Sequence, residues 1–308
     1  MKNKKGELDI PFGWLFGLIV GAIILSLAIF MASKLMNTEK TNIDSSVAKE
    51  IGVLMNPLQL GIEDYSQTHM EFPVNTRIYT DCNQNGEFGK QTIKVSQKFS
   101  AGWSDSGVEV NFNNIHIFSK EILEGKKFTL FSQKFEFPYK VADAIYMISE
   151  KEIYCFVNPP ENVASYLQMI NLKNVVTNCS KGNIRVCFDN SRECNISVRY
   201  NEGSITKDGR TVFFYDDTLM YAGIFSDPII YECQLKRLMK KASSLALLYN
   251  QKASIIARAG CNSNLNADLS TFASSLTSMT SSSGITSLSN QAEKIGQKND
   301  YNSDCRLW

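Results

Sequence analysis

Histidine is almost missing from this 308-residue chain, which has 2, His69 and His116. Tryptophan (3) and proline (7) are also scarce, and neither sign of charge dominates, with 32 basic against 31 acidic residues. Each shortage excludes something. The common zinc sites need several imidazoles or CxxC pairs, and no CxxC occurs. A charge that nearly cancels argues against a dedicated nucleic-acid binder, which would carry a basic face. No GxSxG, P-loop, HExxH or GxGxxG after a strand is present. A Ser–His–Asp set stays open, because triad order varies between folds, yet nothing points to either histidine. His116 alternates with Ile115 and Ile117 and reads as a strand residue. The pairs Glu63–Asp64 and Asp216–Asp217 read as solvated turns, and "CNQNGEFG" (82–89) lacks the carboxylate ladder of an EF-hand. The expectation is therefore no catalytic residue, no metal site and no cofactor.

What the chain does have is one long apolar run, "GWLFGLIVGAIILSLAIFMAS", residues 13–33, without a charge. About 20 apolar residues at about 1.5 Å each match the hydrocarbon core of a bilayer. In lipid the backbone must satisfy its own hydrogen bonds, so the run can only be a helix. A cleavable signal is the rival, since Lys2, Lys4 and Lys5 form a basic start, but signal cores are about 7–15 residues and this one is longer. Gly13, Gly17 and Gly21 fall on one helix face, a small-xxx-small ridge that suits close approach of another transmembrane helix, from a second copy or another protein.

All eight cysteines lie beyond the span. An even number without CxxC suits disulfides and an oxidising compartment. Asn-x-Ser sequons at Asn178 and Asn195 suit an exported face. Lysines sit on both sides of the span but cluster tighter before it, a slight push toward a cytoplasmic N-terminus. Eight cysteines allow 105 pairings. Local geometry favours Cys187–Cys194 across the turn "DNSRE", then Cys155–Cys179. If the final helices run back along the preceding long one, Cys233 meets Cys305, and Cys82–Cys261 follows by exclusion.

The remaining chain reads as α+β. Residues 1–9 form a cytoplasmic tail and 10–34 the transmembrane helix. Residues 35–70 are a connector with an amphipathic stretch (Val47, Ile51, Leu54, Met55) that Pro57 ends or kinks. Residues 71–225 form a β-rich extracytoplasmic domain of alternating segments such as "TRIYTDC" and "QTIKVSQKF". Inside it lies a small α/β crossover unit: "VADAIYMIS" as helix, "EIYCFV" as strand, "PENVASYLQMI" as helix and "NVVT" as strand. Asp208–Gly209 marks a hairpin. Residues 226–308 form a helical hairpin. Its first helix starts at Asp227–Pro228 and stops at Gly260, with Lys236, Arg237, Lys240 and Lys241 as a solvated basic face. Its second is Ser/Thr-rich, weakly specified and broken near Gly284.

"KKGELDIPFGWLFGLIVG" resembles a class III (prepilin-type) signal, in which a basic stretch ending in glycine precedes a filament-forming helix. It departs from the bacterial pattern, which needs a glutamate five residues after the cut; counted from Glu7, that place is Pro11. "EFPVNTRIYTDC", "FGKQTI" and "KFEFPYKVADAIY" resemble single-pass surface proteins of small-genome archaea, a group that implies an address rather than a mechanism. The reading reached is a single-pass, membrane-anchored cell-surface protein that binds or assembles, with the bilayer and another transmembrane helix as partners. A pilin-like filament subunit and a disulfide-stabilised ectodomain hydrolase are the alternatives.

Overall fold

The computed structural model describes residues 13–14, 16–34, 65–99, 102–104, 109–189 and 193–308. The expected amphipathic stretch at 47–55 and the Glu63–Asp64 pair lie outside them. An apolar helix, α1 (Phe16–Lys34), is long and apolar enough to cross a membrane. Its large side chains, among them Phe16, Ile24 and Phe30, are exposed.

The remaining described residues build an α+β body on two sheets. The first contains β1 (Tyr65–Asn83), β2 (Lys90–Phe99), β3 (Gly102–Trp103), β4 (Val110–Phe112), β5 (His116–Phe118), β6 (Ile122–Glu136) and β7 (Lys140–Ser149). Its order is β3-β2-β1-β6-β7-β5, with β4 also on β2; all pairs are antiparallel except β5 with β7. β1 changes register against β6 between Glu71 and Thr76. Pro73 falls in this irregularity, where a residue without an N–H breaks no ladder bond.

β7 corrects the expected helix at "VADAIYMIS". The run is a strand with 9 consecutive buried residues, Val141 to Ser149. Ala144, Tyr146 and Ile148 face the main core, while Ile145 and Met147 belong to a second cluster with Ile78, Val95 and Leu130. A strand apolar on both faces loses its visible alternation, and its period cannot be told from that of a buried helix.

The second sheet has order β13-β12-β11-β10-β8-β9. Its strands are β8 (Tyr154–Val157), β9 (Val175–Val176), β10 (Ile184–Cys187), β11 (Ile196–Arg199), β12 (Ser204–Lys207) and β13 (Arg210–Phe213). The expected crossover is present: α2 (Glu161–Ile170) links β8 to the parallel β9. β10 and β11 are parallel, so they are not the two strands of a hairpin; residues 190–192 of "DNSRE" lie outside the described residues. The Asp208–Gly209 hairpin is as read. Both residues have positive φ, 51° and 71°, as a two-residue type I′ turn requires, and Lys207 pairs with Arg210.

The helix α3 (Asp217–Phe225) went unread in the sequence because it is apolar on every side, with Thr218 to Phe225 all buried. It packs so closely that a Cβ on Gly223 would stand 2.6 Å from Ile205 Cδ1. α4 (Pro228–Arg258) begins and ends where expected, with Gly260 at φ 91° after it. Asp227 does not cap it with its side chain. Instead its Oδ2 accepts the Glu121 N–H, tying α4 to the first sheet. The chain closes with α5 (Asn266–Ser278) and α6 (Ile285–Tyr301), so the expected hairpin is three helices. Hydroxyls on the Ser/Thr-rich face of α5 bond back to carbonyls one turn earlier, as Ser274 does to Ser270.

All eight cysteines are bridged: Cys82–Cys233, Cys155–Cys179, Cys187–Cys194 and Cys261–Cys305. The two local pairs match expectation; Cys233–Cys305 and Cys82–Cys261 are wrong. The chain end does not come back to the start of α4. Cys233 and Cys261 lie about 40 Å apart along a helix of this rise. α6 reverses the path of α5, so Cys305 reaches the far end of α4, and Cys233 is left to the end of β1.

Candidate functional site

In the order β9-β8-β10-β11 the chain leaves β8 for one neighbour while β10 lies on its other side. Crevices in such sheets open at the carboxyl ends of the strands, where the connections diverge. Asn158 directly follows β8 in a left-handed conformation (φ 50°), and its Nδ2 donates to Oδ2 of Asp189, just past β10. A cleft of about 570 Å³ lies over this edge, lined by Asn158, Phe188, Asp189, Arg199 and the Tyr200–Glu202 turn. A recess of about 280 Å³ shares that turn and adds Asp216 and Asp217.

The groups between them are tightly linked. Asn162, in the first turn of α2, donates Nδ2 to the Tyr200 hydroxyl at 2.7 Å and to Asp217 Oδ2 at 2.9 Å. The Tyr200 hydroxyl in turn donates to Asp217 Oδ1 at 2.8 Å. Asp216 Oδ1 accepts the Leu219 N–H and so caps α3. Loss of water around Asp216 pushes its carboxyl up to about 7, against the Leu219 bond that favours the ion. Hence Asp216 and Asp217 do not form a solvated turn: one caps a helix and the other is held by Tyr200 and Asn162. Loss of water is also the largest cause raising the Tyr200 hydroxyl. Two carboxyls, an amide and a phenol thus form one polar, hydrogen-bonded cluster between the two hollows.

The histidines do not complete a catalytic set. His69 Nδ1 stands 3.2 Å from both Thr129 Oγ1 and Glu150 Oε1. A triad needs nucleophile and acid on opposite ring nitrogens; here both meet one, and Thr129 is 1 % exposed. His116 sits on β5 as expected but is 1 % exposed, and neither ring nitrogen has a hydrogen-bond partner. Burial, with Arg237 and Lys241 nearby, holds its pKa well below the ordinary value.

The basic face on α4 is the largest correction. Arg237 is fully buried and donates to the carbonyls of Phe88, Asn113 and Ile115 and to Gln234 Oε1. Desolvation lowers its pKa to about 10. Lys240 Nζ donates to the carbonyls of Gln84 and Gly86. Together with Cys82–Cys233, these side chains pin the whole 82–89 loop against α4. A helical wheel cannot show this, because the partners are backbone oxygens 122 to 156 positions away in the chain.

Cys187, Asp189 and Cys194 cluster closely, but both sulfurs are spent in a disulfide and offer no thiolate. Asn178 and Asn195 are both exposed, and Asn195 Oδ1 accepts the Arg185 N–H at 2.8 Å. Gly13, Gly17 and Gly21 have open space where a side chain would be. Sequence reasoning missed Asn162 and Tyr200; a parallel reading of β10 and β11 would have pointed to this strand edge. No family model, curated protein or solved structure matches this chain.

Proposed function

We propose that this protein is a single-pass, membrane-anchored extracytoplasmic protein that acts by binding or assembly rather than by catalysis. The observation that carries the reading is the pairing of four disulfides, which use every cysteine, with an N-terminal helix whose apolar side chains are exposed. Disulfides persist in oxidising compartments, and an exposed apolar helix of this length is stable in a bilayer. The N-terminus lies in the cytoplasm and the two-sheet body outside. The bare glycine face of α1 serves contact with another transmembrane helix, and the strand-edge cleft serves a polar ligand.

The test is made on membranes from cells expressing the full chain. The protein should resist carbonate extraction, take up no maleimide reagent before reduction, and lose its body to protease added outside intact cells. Release by carbonate, or free thiols, would overturn the reading. N-terminal sequencing separates the pilin-like alternative, which predicts a mature start at Glu7, from an anchor that keeps Met1.

A further inference from the structure

A hollow of about 1020 Å³ runs between α5 and α6, with the 262–264 loop in its wall. Its size is at the upper end for small-ligand sites, enough for an extended chain of rings. Its chemistry is unlike the strand-edge cleft. Lys298 is bridged to Asp268 at 2.6 Å, leaving Lys294 as the remaining charge in the wall. Carboxamides are the commonest residue type in it: Asn302 Nδ2 donates to the Asn262 carbonyl, while the side chains of Asn264, Gln291 and Gln297 bond to no described residue. Each offers a donor and an acceptor side by side, which suits a pair of neighbouring hydroxyls. The Ser263 hydroxyl, in a wall residue 3 % exposed, has no hydrogen-bond partner. Such unmet buried groups are rare and call for a ligand or water. Tyr301 stands in the same wall with 95 % of its surface exposed, offering a flat apolar ring to water.

Neutral amides beside one bare aromatic ring suit a ligand rich in hydroxyls, uncharged, and carrying a flat C–H face. A peptide fits less well, since the groove has no series of apolar pockets for side chains; Ala267 and Ile295 are its aliphatic residues. We propose that the α5–α6 groove binds a neutral oligosaccharide segment, one ring stacked on Tyr301 and its hydroxyls bonded to Asn264, Gln291 and Gln297. This rests on the reading of the chain as a binding protein and adds a second site, apart from the strand-edge cleft, with its own class of ligand.

The test uses the full-length protein in lipid nanodiscs on a printed array of neutral and acidic glycans. The strongest neutral binder is then titrated by calorimetry. Neutral glycans should bind; Tyr301→Ala should weaken binding by about tenfold, and Tyr301→Phe by no more than about twofold. Gln297→Ala should also weaken it, while circular dichroism of each variant stays that of the parent. Binding of no neutral glycan, of acidic glycans alone, or binding indifferent to both Tyr301→Ala and Gln297→Ala overturns the proposal. Each of these results leaves carbonate extraction and thiol labelling unaffected, so the anchored reading stands or falls separately.

Discussion

The two sheets are held together by different means. Strands β1, β2, β6 and β7 of the first run 19, 10, 15 and 10 residues and bury side chains on both faces. No strand of the second exceeds 4 residues, and two disulfides, Cys155–Cys179 and Cys187–Cys194, start on its strands β8 and β10. Long ladders with two apolar faces stabilise themselves. Short strands bury less per residue and gain more from covalent closure of the unfolded chain. The first sheet's one disulfide, Cys82–Cys233, joins it to α4 instead of bracing it internally.

Removing bridges is the sharpest way to break this comparison. In the chain-entropy account, replacing Cys82 and Cys233 by alanine should cost about 5 kcal/mol, against about 3.5 for Cys155–Cys179 and about 2.5 for Cys187–Cys194. Denaturant unfolding gives the totals, and hydrogen exchange gives the location. Loss of Cys155–Cys179 should speed exchange in β8–β10 while β6 and β7 stay protected; uniform acceleration would mean the sheets are one cooperative unit.

The joint between the first sheet and α4 should be almost as sensitive. Arg237→Ala leaves three carbonyls without their donor and should cost about 3–5 kcal/mol. Arg237→Lys should recover only part of this, because an ammonium cannot span the same fork. A cost below about 1 kcal/mol in thermal or urea unfolding would show that the 82–89 loop is held by its disulfide alone.

The sheets should also respond oppositely to pH. His116 is held neutral in the folded state, so stability falls as pH drops below the unfolded value of about 6.5. Asp216 is the reverse: with a folded value of about 7, it favours the folded state in acid. That contribution is lost as pH rises from about 4 to about 7, then stays level. His116→Leu should flatten the acid limb. Asp216→Asn, which keeps a capping side chain, should raise stability above pH 7 by on the order of 1 kcal/mol. Stability measured against pH for each variant checks both slopes.

The smallest effect lies outside both sheets. Gly17→Ile should leave insertion of α1 intact while blocking close helix approach, lowering association by on the order of 1 kcal/mol. A membrane-association reporter carrying residues 1–40, beside crosslinking of the whole protein, reads it. No change in either would make the glycines ordinary membrane composition; a fall in the whole protein only would mean a different chain is the partner.

The legible parts of the sequence were those specified locally. Asp208–Gly209, Asp227–Pro228 with Gly260, and the short disulfide loops depend on residues within reach along the chain. β7 and α3 were illegible because burial on all sides erases periodicity, and Arg237 because its burial is decided by distant carbonyls. The strand-edge site failed for a related reason. Whether β10 and β11 run parallel depends on two paired positions, Val186–Ile196 and Cys187–Ser197, which the intervening residues do not reveal.

The Cys82–Cys233 bridge also decides how the molecule carries a pulling force. Tension applied between the start of β1 and the far end of α4 reaches Cys82, crosses the sulfurs and continues along the helix from Cys233. The 151-residue separation between them, which includes the whole second sheet, is a slack loop in that path. Fully stretched it would pay out about 500 Å of chain; with the bridge closed, none of that length is available. The short strands and the cleft at their edge are thus shielded from load, and reduction would turn a stiff tether into a long, yielding one.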